Sequence, residues 1–566
     1  VVHPRLHALL VAAVAAIVLG ANLGGPALWD DDEPKNAACS LAMLDANDWV
    51  VPTFNARLRV EKPPLVNWLQ IAGYTLCGRN ETGARIGSAI ATLGACLFTW
   101  RIGCLLLGPA AGLLGGLVMA SCVWTAVGGR AATPDAPLLF FTTLALWLFV
   151  RAWHRDRQPG GGVRLRRAEA AAIGAACGAA VLAKGPIGIV LPLAAFAGFA
   201  CLQAGGWNPR RWAGPLAGLR LPLVLIVASA VACPWYAWVA WRTDGEWLRG
   251  FFLVHNLGRF AAPMEGHSGS PLYYLFVIAV GLFPWSIVLL AMVAHALAIL
   301  TTPGDDDRRD SVNLLACWTV AWVGCLSCAG TKLPGYVWPA YPAITLLTGL
   351  FLHDWAHGRA DCVRWCRDPA RAIGRVMRVA WGSLAFAGLA LTVGLAVAAS
   401  LVAPGNEWLG LIGLVPIAAA AVAWWHDVAG DRGRAIRAVA VASCLLVSLL
   451  AGVAADRFSA AQGMRESITA IAADAPARWA CFWNVPPSVV FYARTTVAKL
   501  DTPDDVARHL ADGPQARLVI DSRHLERVID AIPPHCGVIA RIPTLAEHHY
   551  VVIGARPTEV PLALNR

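Results

Sequence analysis

Long apolar runs separated by short polar loops dominate the first 455 residues. Runs of about 20 residues match the thickness of a hydrocarbon core. They fall here near 6–24, 83–106, 110–128, 136–153, 169–183, 187–204, 221–241, 271–295, 311–329, 335–352, 379–403, 408–426 and 438–455. The pattern predicts about thirteen membrane helices. Leu6–Leu23 reads as the first span rather than a cleavable signal, because no clear small-residue cleavage site precedes the acidic loop that follows. The chain opens on Val1-Val2, so a natural start upstream is expected.

Two segments break this pattern. The first loop, residues 25–80, carries two short amphipathic stretches, "EPKNAACSLAML" and "PPLVNWLQIAGYTL". Both are too short or too polar to span, and helices lying in the membrane interface plane are expected there. After residue 455, helical patterns at 461–474 and 503–511 alternate with the β-rich runs "WACFWNV", "ARLVIDS", "CGVIARI" and "HYVVIGA". The predicted fold class is a polytopic α-helical membrane protein, residues 1–455, with a small α/β domain at 456–566. No glycine-rich phosphate loop stands at a strand-to-helix junction, so nucleotide binding has no support.

Composition agrees: 57% of residues are hydrophobic and 14% charged, which excludes an ordinary soluble domain. The excess of 46 Lys and Arg over 36 Asp and Glu concentrates in the loops after the fourth, sixth, tenth and twelfth runs. With thirteen crossings these loops share one side, the cytoplasm by the positive-inside rule. The excess thus reports topology, not nucleic-acid binding. The N-terminus is placed inside, the 25–80 loop and the tail outside. Most cysteines lie in apolar runs and read as small hydrophobes; Cys325 and Cys328 lack the His pair of a zinc site. Cys481 and Cys536 in the tail are candidates for a disulfide.

Almost every chemically interesting residue falls on the outer side. Asp32 and Glu33 begin an amphipathic stretch, where acids complement a helix dipole or else one carboxylate acts in a cavity as base or counter-charge. Asp135 in "ATPDAP" is either a helix cap or a second carboxylate of that cavity, with Arg130 close in sequence. "EKPP" sets Glu61 and Lys62 at headgroup depth, suited to a lipid phosphate; Lys35 and Asn55 share the loop. Lys184, His255, Asn256, Arg259, His267, Tyr273, Tyr274, Lys332, Tyr336 and Tyr341 complete a basic and aromatic lining. Such a cavity suits an anionic amphiphile. Glu61 with His255 forms a weak candidate for a divalent cation; no cofactor is otherwise required.

"WDDDEPKNAACSLAML" resembles the first-loop Asp-Glu motif of the GT-C glycosyltransferases that use lipid-linked sugars, the group of the protein O-mannosyltransferases. With "VPTFNARLRVEKPPLVNWL", "ATPDAP", "LAKGP", "HNLGRF", "HSGSPLYY", "FPW" and "KLPGYVWPAYP", the ordered set over residues 25–342 is similar to the bacterial lipid A aminoarabinose transferases. It departs from the family where Pro34-Lys35-Asn36-Ala37 replaces a basic residue followed by Tyr-Ala. The resemblance implies transfer of 4-amino-4-deoxy-L-arabinose from undecaprenyl phosphate to a lipid A phosphate on the periplasmic face of the bacterial inner membrane, and with it resistance to polymyxin and other cationic peptides. Asp32 is then expected nearest the reacting centre, with Asp135, in a direct inverting displacement. A sister transferase that modifies proteins or other lipids, and a transporter, are the alternatives; a transporter usually binds near the midplane between repeats, and none is visible.

Overall fold

The structure is a computed structural model that describes residues 4–29, 31–155, 163–204, 208–262, 269–302, 305–360, 368–474, 477–544 and 548–555. Asp30 and His267 lie outside the described residues. Each apolar run falls on a helix or a bent helix pair. The early helices are α1 (Pro4–Gly20), α2 (Asp32–Asp45), α3 (Leu65–Cys77), α4 (Glu81–Leu106), α5 (Pro109–Ala120), α6 (Val123–Arg130), α7 (Asp135–Arg155), α8 (Arg167–Lys184) and α9 (Ile187–Gln203). Among the described residues, seven helices are long and apolar enough to cross a membrane, or up to nine if each bent pair counts as one span. The pair α5–α6 bends by 57°, and Tyr273–Gly281 with Trp285–Thr301 by 120°. Pro4–Gly20 and Ile187–Gln203 are shorter apolar helices. The expected thirteen runs are thus all helical, but by length and composition fewer qualify as spans.

Helix ends sort by chemistry. The start of α7, the end of α8, the start of α4 and the first loop meet at one end of the bundle, joined by Lys184–Asp135 and Arg85–Glu33 ion pairs. At the other end Arg155 pairs with Glu169, and Arg432 donates to the Trp355 carbonyl at 2.9 Å. Gly185 closes α8 with φ of +84°, a left-handed turn that other residues resist, and so reverses the chain from α8 into α9.

The first loop folds into α2, a hairpin of β1 (Thr53–Phe54) and β2 (Arg57–Leu58), and α3. α2 is anchored through a polar face. Its buried face carries Asn36 and Ser40 among alanines: Asn36 donates to the Ala132 carbonyl at 2.9 Å, and Asn67 of α3 donates to the Ser40 hydroxyl at 2.9 Å. Buried polar groups need such partners, so this face of α2 packs on α3 and the 131–134 loop. Its other flank, Ala37 and Leu41, packs on Val489 and Tyr492 of the tail.

In the tail, strands β3 (Arg478–Phe482), β4 (Val497–Leu500), β5 (Ala516–Asp521), β6 (Cys536–Pro543) and β7 (His549–Ala555) form one sheet ordered β4-β3-β5-β7-β6. The first three are parallel and the last two antiparallel. The Cys481–Cys536 disulfide does not form; both thiols are free. β5 and β7 stand between their strands, which puts them about 14 Å apart at the usual strand spacing, and the two thiols belong to hydrophobic clusters on different sides of the sheet. Tyr492 fastens this sheet to the membrane bundle, accepting from the Leu28 amide at 2.9 Å and donating to Glu81 at 3.1 Å.

Candidate active site

Asp135 and Lys184 form the centre. Asp135 opens α7, Lys184 closes α8, and the ammonium donates to the carboxylate. The Lys184 ammonium also sits 4.5 Å from the centre of the Tyr336 ring, a cation–π contact that fixes its direction. Gly335 lets this loop approach, since a Cβ there would lie 3.3 Å from an Asp135 oxygen. Lys62 stands beside this pair. It is mostly buried and makes no ion pair or hydrogen bond among the described residues. Burial and then the like charge of Lys184 hold its ammonium below the ordinary lysine range, against the opposing pull of Asp32, Tyr336 and Asp135. A mostly buried cation without a counter-ion is a place for an anion.

Lys62 and Lys184 line one end of a cavity of about 550 Å³, together with Arg259, Asn256 and His255. Much of the rest of its wall is apolar: Ile187, Val190 and Leu191 of α9, Phe252 of the π-helical stretch Arg249–Gly258, and Leu326. Arg259 approaches the Tyr336 hydroxyl at 3.4 Å. The arrangement offers three cations to a phosphate and a greasy channel to the chain attached to it. Glu61 belongs to this cavity and also to a polar one of about 780 Å³ between the first-loop hairpin and the tail sheet. Although burial raises it, Arg59, Lys35 and His255 hold the Glu61 carboxyl below its ordinary range.

Asp32 is exposed at the first residue of α2, has no hydrogen bond or ion pair among the described residues, and its charge reaches Lys62. Glu33 is the next residue of α2. It is 5% exposed and grips Arg85 through both oxygens, at 2.9 and 2.8 Å. It also accepts from the Trp29 amide at 2.9 Å and the Ala132 amide at 2.7 Å. Both oxygens are thus engaged by Arg85 and two backbone amides. Asn55 exchanges two hydrogen bonds with Val497 of β4 and docks the tail. Lys332 is buried and donates to the Ala329 carbonyl at 2.6 Å. Tyr341 is fully buried with its hydroxyl toward the Val277 carbonyl, Tyr274 is fully buried beside Tyr336, and Tyr273 packs edge-on against Tyr274. Arg130 is buried at the end of α6 and lines a different cavity. Lys35 pairs with Glu61, at 3.7 Å.

Sequence reasoning missed two residues. Arg85 had a signal, because an arginine inside an apolar helix requires a partner. Arg59, 4% exposed, donates to Glu61 at 2.7 Å and to Asn36 at 2.7 Å; nothing in "NARLRV" separates it from the exposed Arg57. Of the proposed Glu61–His255 cation site, the Glu61 carboxylate pairs with Arg59 at 2.7 Å and Lys35 at 3.7 Å.

Lys62 yields a pH prediction. A lysine with a depressed pKa loses its charge as pH rises before an ordinary lysine does, and affinity for an anionic donor goes with it. KM for the donor is expected to climb on the alkaline side well below about pH 10.4. In Lys62→Arg, whose guanidinium stays protonated, that limb disappears; an unchanged limb would assign it to another group.

Residues 61–238 match the family model described as dolichyl-phosphate-mannose-protein mannosyltransferase. The chain is 29% identical over 345 residues to the undecaprenyl phosphate-alpha-4-amino-4-deoxy-L-arabinose arabinosyl transferase of Erwinia tasmaniensis, covering 60% of this chain and 58% of that protein. It is 31% identical over 328 residues to the protein of the same name from Pseudomonas aeruginosa, covering 58% and 56%. The match thus spans little more than half the length of these curated relatives. The structure superposes on ArnT from Cupriavidus metallidurans bound to undecaprenyl phosphate with a TM-score of 0.75 at 22% identity, covering 96% of this chain and 97% of that one. An archaeal oligosaccharyltransferase, AglB from Archaeoglobus fulgidus, superposes at 0.51 and 12% identity, covering 99% and 75%. This chain is therefore a multispanning membrane protein of the GT-C glycosyltransferase fold, similar in sequence to the aminoarabinose transferases.

Proposed function

We propose that the protein transfers 4-amino-4-deoxy-L-arabinose from undecaprenyl phosphate to a phosphate of lipid A, at the periplasmic face of a bacterial inner membrane. The observation that carries this reading is the 550 Å³ cavity with Lys62, Lys184 and Arg259 at one end and an apolar channel behind them. That shape suits a polyprenyl phosphate. The C. metallidurans neighbour was crystallised with undecaprenyl phosphate, and the curated relatives carry the aminosugar in their names.

The chemistry follows from the charges. An oxygen of the acceptor phosphate attacks the anomeric carbon, the bond from that carbon to the polyprenyl phosphate breaks, and undecaprenyl phosphate leaves with the electron pair. Lys184 and Lys62 oppose the negative charge that grows on the leaving phosphate, and Asp135 holds Lys184 in place. Asp32 orients the acceptor or balances positive charge on the sugar. Glu33 and Asp135 are held in ion pairs, and the free Asp32 is assigned to the acceptor or to the charge on the sugar, so this reading has no covalent glycosyl-enzyme and one inverting step. The product carries an added ammonium on lipid A, which weakens attraction for cationic peptides such as polymyxin.

Mass spectrometry of lipid A from cells with and without this chain tests the reading. An increment of one aminopentose is expected; modification of protein hydroxyls instead would support a mannosyltransferase-like activity. The charge stabilisation is assigned to Lys62, Lys184 and Arg259, without a divalent ion. Transfer by the purified protein is therefore expected to be unchanged in excess EDTA. A loss restored by added Mg²⁺ or Mn²⁺ would overturn that assignment.

A further inference from the structure

A second cavity, of about 430 Å³, opens on a different side of the 131–135 loop. Its walls are Val123, Ala126 and Val127 of α6 and Val447, Leu450 and Ala451 of the helix that leads to the tail. Trp29, 45% exposed, stands at its edge. Two arginines also line it, and they differ. Arg85 is consumed by Glu33. Arg130 is 7% exposed, and its Nη2 donates to the Asn22 carbonyl at 3.0 Å. Its Nη1 is buried without a hydrogen-bond partner, and no carboxylate pairs with it among the described residues. An unneutralised guanidinium in an apolar groove is costly unless an anion joins it.

We propose that this groove holds the acceptor: Arg130 binds a phosphate of lipid A while acyl chains lie along α6 and the 432–462 helix. This rests on the transferase reading above. The groove matches a lipid phosphate because, with Arg85 neutralised by Glu33, Arg130 is the cation left without a paired carboxylate among the described residues beside the apolar side chains of α6 and the 432–462 helix. Its placement relative to the donor cavity supports the acceptor over the donor. The segment 130–138 runs from one cavity to the other: Arg130 and Ala131 line the groove, Leu138 lines the donor cavity, and Asp135 lies between them. Glu33 ties the groove to the reacting end, since it lines the groove and its carboxylate accepts from Ala132.

The test uses the full chain in vesicles. Arg130→Gln is expected to raise KM for lipid A about 10- to 100-fold, with KM for the donor unchanged, and Arg130→Lys to recover part of the loss. Unchanged acceptor KM, or a shift in donor KM alone, would overturn the proposal. A photo-crosslinking residue at Val127 gives a second measurement, independent of turnover and therefore of the sugar transferred. Labelling by lipid A that phosphatidylglycerol fails to displace supports an acceptor groove. Labelling by phosphatidylglycerol that lipid A fails to displace marks it as a site for bulk lipid and defeats the assignment. A protein that crosslinks lipid A here yet transfers no aminosugar keeps the groove and refutes the transferase reading.

Discussion

Asp32→Asn is expected to lower kcat by about 10²- to 10⁴-fold, the range for a group acting directly on proton or charge in the transition state, with little change in KM for the donor. The side chain is exposed at the start of α2 and is spared the ion pairs that occupy Glu33, Asp135 and Glu61. Its removal therefore costs the fold little. What is lost is negative charge where the anomeric carbon becomes positive or where the acceptor shares a proton. Asp135→Asn is expected to behave differently. It releases Lys184 from the one carboxylate that aims it, so donor KM rises together with a fall in kcat, because Lys184 serves both ground state and leaving group. Steady-state kinetics at saturating acceptor, on variants of matched thermal stability, separate the two patterns. Near-normal turnover in Asp32→Asn would remove it from the reacting centre and leave the work to Lys62, Lys184 and Arg259.

The ends of the chain's elements were more legible than their contacts. Asp135 and Lys184 stood out because each is an ionisable residue at the edge of an apolar run, where a structural or functional partner is required, and the structure makes each the partner of the other. Lys62 was legible for the same reason. The backbone partners of Asn55, Lys332 and Tyr341 were not legible, because a polar side chain near the end of an apolar run satisfies a backbone group as readily as a substrate; only three-dimensional packing reveals Val497, Ala329 and Val277. In the tail, four strands showed in the β-rich runs, while β4 escaped. It is a four-residue edge strand with an exposed middle, so it has neither the length nor the alternation of a strand signal. The helix Pro487–Ala493, which buries Tyr492 against α2, is likewise too short to show a period. The consequence is that the docking of the tail on the first loop, which decides where α2 can lie, was invisible in the chain.

Breaking the Glu33–Arg85 pair is expected to cost about 3–5 kcal/mol of stability, since removing one partner leaves the other charged and buried. Arg85→Met exposes this most directly: the Glu33 carboxylate keeps the Trp29 and Ala132 amides but loses its cation, and Arg85 no longer donates to the carbonyls of Leu23, Pro26 and Ala27. Although burial raises it, Arg85 and those two amides together hold the Glu33 carboxyl below its ordinary range. The sign follows. Because the folded state binds the proton more weakly, the contribution is full above the unfolded carboxylate pKa of about 4.3 and fades as pH falls through the lower folded value. Thermal unfolding in detergent should thus show the wild type losing stability below about pH 4, and Arg85→Met being less stable at pH 7 with the acid slope much reduced. Glu33→Gln/Arg85→Met should recover part of the loss, as no buried charge remains. Full recovery is not expected, because the carbonyls that Arg85 served lose their donors at about 1–3 kcal/mol each when buried. Equal stability of the single and double variants would show that the pair is held by its backbone contacts and not by its charge. Because Glu33 also fixes the 131–134 loop, a folded Arg85→Met should bind donor less well through displaced Asp135 and Lys184, which distinguishes a positioning role from a catalytic one.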